Sequence, residues 1–476
     1  MKKTYGNISR RSFLNKSAAV SFGFSVMPAY LAIGKKNSAG ELPPSERLNI
    51  GCVGCGGRAG GDIDSLIKKG AEPVSFCDVD PNRGGIAKWK AKYPKASVHK
   101  DFRVMFEKNE KDMDAVCIAA PDHVHFAATM DAMQRGKHVY VEKPLTHTFN
   151  EAEMLIKAEK KFKVVTQMGN QGHTGVAAAQ FKKMVDNGVI SDIIRIDAWK
   201  RQSLWFMNGN ERIKDYPAEE PVPEGLDWDI WCGPAEKKPF SSKYHPFNWR
   251  GFYLYGTGMF GDWGAHLIDM AHEYLDLGLP EKITPVKIND HNKVIFPEAC
   301  HIHMKFPARG KMPAVDLHWR DGKGYWDAWH YINSHEQYLA KNEKGELQKP
   351  RLGHAGTFLH RKQADYGILR GSHAAGSRLL PYAKMKDFGA KLKGESPGDH
   401  YGMFVSACKG EGKTWSPFSV AGPLTQTLLI GAACQYLNAE LEFDRKKKRF
   451  TNNEEANALL DGAKPRKGYE DYYKVV

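Results

Sequence analysis

Hydrophobic positions in the first third of the chain repeat one pattern. Short apolar runs alternate with stretches whose apolar residues fall three and four apart. Leu48, Ile50, Cys52 and Val53 form the first run, and Ile63, Leu66 and Ile67 line one face of the predicted helix after it. Glu72–Asp78 is a second run, followed by a predicted helix over Arg83–Tyr93. Asp114–Ala120 reads as a fully buried strand, and Pro121–His125 opens a helix that reaches Gly136. His138–Pro144 is the next strand and its exit loop, Phe149–Phe162 a helix, and Lys163–Met168 a strand. Strands alternating with helices of this length predict a parallel, doubly wound sheet over residues 46–168.

The pattern changes after Met168. Gly175–Asn187 reads as a helix, and Ile193–Trp199 alternates as a strand. Ala299–Lys305 and Pro313–Trp319 alternate in the same way. They predict a second domain, residues 169–476, of α+β type on an open, mainly antiparallel sheet. The fold class is therefore α/β with an α+β partner domain. Trp228 and Trp231 are expected as core anchors. Gly353–Gly398 is rich in Gly, His, Lys and Arg and only weakly periodic, which predicts a long pocket loop or a surface insertion. Val420–Leu441 reads as an apolar helix, and Asn452–Asn457 caps another. These last helices are expected to pack back on the first domain.

Charge changes the picture at the N-terminus. The chain of 476 residues carries a net +14, of which Lys2, Lys3, Arg10, Arg11 and Lys16 supply five. Arg10-Arg11 sits in a twin-arginine pattern, Ser9–Lys16, ahead of a moderately apolar run from Ala18 to Ala32. That run is too short and too rich in Ser, Gly and Ala for a membrane span. Residues 1–45 are expected to be an export signal and linker, with the folded protein carried out by the twin-arginine route to the periplasm or beyond. The remaining positive excess comes with no helix-turn-helix or zinc-finger pattern, so a nucleic-acid partner is not expected. Eight cysteines enter an oxidising compartment on this reading. Cys52 and Cys55 have a redox or metal spacing, but they lie in a glycine turn without a second ligand pair. Core packing is the better reading, and no metal site is expected.

Candidate chemistry starts at the first turn. Gly54-x-Gly56-x-x-Ala59 lies between a strand and a helix, with Gly57 and Arg58 inside it. Bare backbone there admits a pyrophosphate, and the helix N-terminus offers it free N–H groups. Asp78 ends the second strand 24 residues after Gly54, where an acid accepts from a ribose hydroxyl. Gly54, Asp78, Pro121 and Lys143 all lie at carboxyl ends of predicted parallel strands and converge on one crevice. Further on, Asp262 and His266 are four apart, with Asp269 one turn later. On one helix face, an acid beside an imidazole makes a competent proton shuttle.

Together Gly54-x-Gly56, Ala120–His125 and Glu142-Lys143-Pro144 resemble the Gfo/Idh/MocA oxidoreductases, and Asp262-x-x-x-His266-x-x-Asp269 is similar to that family's second signature. The resemblance covers Leu48–Asp269 well and the last third only in general pattern. It implies a Rossmann domain with a nicotinamide cofactor and a cis Lys143–Pro144 bond. It also implies Lys143 as the active-site lysine, His266 as acid/base and Asp262 as its support. The cofactor is expected against Gly54, Gly56, Gly57, Arg58, Asp78, Pro121, His125, Glu142 and Lys143. Asp78 points to NAD, while Arg83 nearby leaves NADP open. The implied substrate is a sugar, glycoside or polyol, and the implied assembly a homo-oligomer through the open sheet face. Two schemes meet the lack of exchangeable cofactor outside the cytoplasm. One is net oxidation with an external acceptor; the other is redox-neutral glycoside cleavage by transient oxidation. A non-catalytic carbohydrate-binding protein is the alternative from a different class.

Overall fold

A computed structural model describes residues 47–476 apart from 84, 202–211, 323–331, 333–334, 349–351, 364, 373–374 and 396–397. The expected signal segment lies outside the described residues. Six parallel strands form the first sheet: β1 (Leu48–Val53), β2 (Ala71–Cys77), β3 (Ser97–His99), β4 (Ala115–Ile118), β5 (His138–Val141) and β6 (Thr166–Met168). Their order is β3-β2-β1-β4-β5-β6, the doubly wound arrangement the alternating pattern predicts. Ile50, Cys52, Val116, Cys117 and Val139 are fully or almost fully buried, as strands covered on both faces require. The helix expected from Arg83 begins later, at Ile86, because Gly85 holds a left-handed φ of 73° just before it. All eight cysteines are free thiols, seven of them buried.

The second sheet has nine strands. They are drawn from β7 (Ile193–Lys200), β8 (Lys282–Asn289), β9 (Ala299–Phe306), β10 (Val315–Asp321), a separate hairpin of β11 (Ala340–Lys341) and β12 (Leu347–Gln348), and then β13 (Ala355–Arg361), β14 (Gly367–Arg370), β15 (Ser377–Leu380), β16 (Leu441–Asp444) and β17 (Arg449–Phe450). The order is β15-β14-β13-β7-β10-β9-β8-β16-β17. Neighbours run antiparallel except the central pair β7–β10, which is parallel.

Two expectations need correction. Gly353–Gly398 is not a loop or an insertion: it supplies β13, β14 and β15. Its weak periodicity arises because buried positions on both faces are polar yet satisfied. His360 reaches Asp197 at 2.8 Å, and Arg361 pairs with Asp192 and Asp365. The apolar helix stops at Leu437, where Asn438 turns left-handed with φ 49°, and Leu441 belongs to β16.

The helix Phe418–Leu437 packs on Phe149–Phe162, and His400–Cys408 on Gly57–Lys68. The C-terminal helices thereby lie against the first sheet's layer. One part of the outer face of the nine-stranded sheet is covered by Ile332, Tyr338, Leu339 and Leu352 packing on Trp199, Phe358, Leu369 and Leu380. Trp228 and Trp231 are buried and stacked 4.4 Å apart. No helix among the described residues is long and apolar enough to cross a membrane.

Candidate active site

The carboxyl ends of β1, β2 and β4 open on one crevice of about 450 Å³, lined by Gly54–Arg58, Asp78–Asp80 and Ala119–Pro121. Gly54 holds φ 80°, and a Cβ there would stand 2.8 Å from the Ala119 carbonyl oxygen. The turn thus requires glycine twice over, for its conformation and for its closeness to β4. Gly56 precedes the twelve-residue helix Gly57–Lys68 and supplies no side-chain cap, so the first N–H groups stay available. Asp78 accepts the Cys55 N–H at 2.9 Å and the Asp80 N–H at 3.0 Å. Burial raises its pKa, and these two donors pull it back. Bare backbone, a free helix N-terminus and an acid at the rim fit a dinucleotide.

The far wall of the crevice went unread in the sequence. Trp231, His245, Phe247, Trp249 and Arg250 form it, and the His245 ring meets Asp80 at 2.8 Å across 165 residues of chain. No local pattern marks such a closure; the aromatic density between Trp228 and Phe252 was the only sign.

Six of the expected cofactor residues, Gly54, Gly56, Gly57, Arg58, Asp78 and Pro121, line the crevice. Arg58 reaches across its own helix to Asp62 at 2.5 Å and on to Glu142 at 3.3 Å. Burial works against its charge, but Asp62 and Glu142 outweigh that and raise its pKa. Burial and Glu142 in turn raise the Asp62 carboxyl to about 8, with Arg58 opposing. Glu142 also accepts from Gln171 at 2.6 Å. It ties β5 to the first helix rather than facing the crevice. The expectation for His125 is likewise corrected. Its ring is 1% exposed, with its nitrogens 2.8 Å from the carbonyl oxygens of Pro144 and Ala120. It braces the β5 exit loop against the β4 turn.

That exit loop contains the cis Lys143–Pro144 bond. The Lys143 ammonium donates to the Asp262 carboxylate, and to the Asp262 carbonyl oxygen at 3.3 Å. Asp262 lies in a π-helical turn, Phe260–Gly264, and His266 in the single α-turn Ala265–Leu267 that follows. The sequence predicts a regular helix with Asp262 stacked on His266. The π turn widens the spacing to i→i+5, and the carboxylate turns to Lys143 instead. Burial opposes the charge on Asp262; Lys143 and then Arg250 outweigh it and hold the carboxyl below its usual range. Half-buried Trp263 lies edge-on to His266 at 6.5 Å and to His354 at 5.7 Å, and carries the Lys200 ammonium 4.5 Å over its ring. Asp269 faces away from this group. It accepts from His173 at 2.9 Å and Asn170 at 3.0 Å, and Glu273 takes the other His173 nitrogen at 2.9 Å.

With this geometry in place, comparison with known proteins becomes informative. Residues 48–170 match the model of an oxidoreductase family with an NAD-binding Rossmann fold, and residues 174–309 match the C-terminal alpha/beta domain of the same family. An α-N-acetylgalactosaminidase of Shewanella oneidensis is 26% identical over 230 residues, 43% of this chain and 50% of that protein. An inositol 2-dehydrogenase of Rubrobacter xylanophilus is 28% identical over 163 residues, 33% of this chain and 45% of that protein. The chain therefore spans about half the length of these curated relatives. Among solved structures, the WlbA dehydrogenase of Bordetella pertussis, in complex with NADH and UDP-GlcNAcA, superposes with a TM-score of 0.55 at 14% identity, over 84% of this chain and 99% of that one. An aldose-aldose oxidoreductase of Caulobacter crescentus, complexed with glycerol, gives 0.51 at 13% identity, over 83% and 100%. These two likenesses are of fold.

Proposed function

This chain belongs to the Gfo/Idh/MocA oxidoreductase family, and we propose that it moves hydride between a tightly held nicotinamide cofactor and a hydroxyl-bearing carbon of a sugar, glycoside or polyol. The observation that carries this reading is the Lys143–Asp262 pair. It lies beside Arg250, which also lines the dinucleotide crevice. Bound in that crevice, the dinucleotide would supply the hydride acceptor and donor.

The chain's own residues handle the oxygen and its proton. Lys143, anchored on Asp262, donates a hydrogen bond to the reacting oxygen and favours its anionic form. His266 takes the hydroxyl proton on oxidation and returns it on reduction. Asp262 fixes the direction of the Lys143 ammonium, a different part from the support of His266 that the spacing suggested. Asp78 on the crevice rim favours an unphosphorylated ribose, and Arg83 on the same rim keeps a 2′-phosphate in play. The protein is exported by the twin-arginine route with cofactor inside, so the cofactor is recycled in place.

A second reading is redox-neutral cleavage of a glycoside, and the likeness to an α-N-acetylgalactosaminidase favours it. Oxidation next to a C–H bond acidifies that bond, a base takes its proton, the glycosidic oxygen leaves as the protonated alcohol, water adds in its place, and return of the hydride restores the ring. One experiment separates the two. Full-length protein, exported by its own signal and purified without added nucleotide, is mixed with neutral and acidic sugars and glycosides. The absorbance of reduced nicotinamide is followed and the products are analysed. Lasting reduction until an acceptor arrives supports net oxidation. Cleavage with no lasting reduction supports the second reading. Protein that neither carries nor binds nicotinamide sinks both.

A further inference from the structure

Lys200 is the last residue of β7, paired in register with Asp321 of β10 and Ala355 of β13. The residue is 3% exposed. Its ammonium lies over the Trp263 ring, and no carboxylate among the described residues comes within ion-pair distance of it. The nearest candidates are committed elsewhere. Asp262 is bound by Lys143. Asp321 accepts from the Trp319 indole at 2.6 Å and from the Cys300 thiol at 3.2 Å.

The charge count around Asp262 is therefore lopsided. Lys143, Arg250 and Lys200 all act on this one carboxylate, and Lys143 already neutralises it. Burial holds the Lys200 ammonium below the usual lysine range, with only Asp262 pulling it back. Taking an ammonium out of water without a counter-charge is expensive. The indole face offsets part of that cost and no more. Such a group persists where the ligand brings the missing charge.

Resting on the oxidoreductase reading above, we propose that the carbohydrate bound at Lys143, Asp262 and His266 carries an oxyanion, and that Lys200 is its counter-charge. The oxyanion is the carboxylate of an acidic sugar or the sulfate ester of a sulfated one; both present oxygen acceptors to a single ammonium. The Trp263 ring sets the distance between the reacting end and the anion. It packs Lys200 on its face and has His266, three residues on, near its edge. The site is then read at two points, by Lys143 and His266 at the carbon oxidised and by Lys200 at the charged substituent. A neutral sugar would leave the buried ammonium unpaired. Sites built on a buried polar group reject ligands that lack its partner.

The test uses full-length protein carrying its nucleotide, with D-glucuronate, D-galacturonate, D-glucose 6-sulfate, D-glucose and D-galactose as probes. Binding is measured by calorimetry and turnover by product analysis. An acidic or sulfated sugar is expected to bind about 100-fold more tightly than its neutral counterpart. The carboxylate and sulfate probes identify which oxyanion the site takes. Lys200→Gln is expected to bring that ratio close to one, and Lys200→Arg to retain most of it. Lys143→Ala is expected to keep the preference while losing turnover. Neutral sugars that bind as tightly as all three charged ones overturn the proposal without recourse to any variant. So does an unchanged ratio in a folded Lys200→Gln protein. Failure of the parent reading looks different: charged sugars bind selectively through Lys200 but are never oxidised or cleaved.

Discussion

The dinucleotide crevice and the proposed reaction wall meet at Arg250, yet they are built differently. The crevice's motif side is mostly main chain. Gly54 lies against the Ala119 carbonyl, and the Cys55 N–H closes the turn onto Asp78. Every part of that side comes from the first two strand–turn units and the β4 turn. The reaction wall is side chain throughout. Lys143, Lys200, Arg250, Asp262, Trp263, His266 and His354 come from segments spread across more than 200 residues. A main-chain site fixes shape, and at Gly54 it leaves no room for an added Cβ. A side-chain site fixes charge, and charge can be changed without moving the backbone.

The sharpest way to test this division is to damage one region and read the other. Lys143→Ala removes the proposed donor to the reacting oxygen but nothing from the crevice lining. Turnover is expected to fall about 10³-fold. The nicotinamide recovered with the protein should stay at the parent level. Loss of the cofactor in this variant would mean that the two regions are one unit.

Gly54→Ala works from the opposite side, and its expected effect is smaller. The new Cβ would stand 2.8 Å from a backbone oxygen at φ 80°, so either the turn or β4 must shift. Cofactor retention should fall about tenfold or more, with a stability loss of about 1–3 kcal/mol in urea unfolding. Supplying excess nucleotide should recover much of the turnover, because the wall is untouched. A variant that binds cofactor normally would remove the close-approach argument for this turn.

The same division explains what the sequence revealed. The motif side of the crevice was legible because its parts are contiguous: a strand, three glycines and an acid at a fixed distance. Glu142-Lys143-Pro144 was legible for the same reason. Lys200, Arg250 and His354 were not, since a single basic residue at a strand end or in a loop carries no local pattern. Topology alone brings Lys200 and Arg250 to Asp262 and His354 to Trp263. The Asp262–His266 spacing was read as an ordinary helix because the π turn leaves no local signature between Gly261 and Gly264. β13 to β15 escaped because Thr357, His360, Arg361 and Arg370 are polar residues that are nonetheless buried, on both faces of their strands. Their satisfaction by Asp197, Asp192 and backbone oxygens erases the hydrophobic alternation that marks a strand. The first sheet was predicted well because its buried parallel strands need no such polar partners.

The smallest effect separates the two regions by pH. Next to the wall, His173 is fully buried between Asp269 and Glu273. Burial alone would lower its pKa; Asp269 and then Glu273 outweigh that and raise it to about 10. Its ordinary value is 6.5, so the folded state holds a proton that the unfolded chain releases between these limits. The resulting stability is complete below pH 6.5 and is lost as pH rises toward 10. Beside the crevice, Asp62 has a pKa raised from 3.8 to about 8, so its contribution fades in a lower window. Urea midpoints should therefore rise from pH 5 to about 7, as the unfolded chain gives up the protons that buried His123, His272 and His400, with lowered pKa values, do not hold, and decline from there to pH 10 by about 2 kcal/mol or more in unfolding free energy. His173→Gln should flatten the slope above pH 8 and leave the slope below pH 6 in place. A slope above pH 8 unchanged in that variant would assign the alkaline loss to other groups and detach the His173 cluster from the stability of the wall.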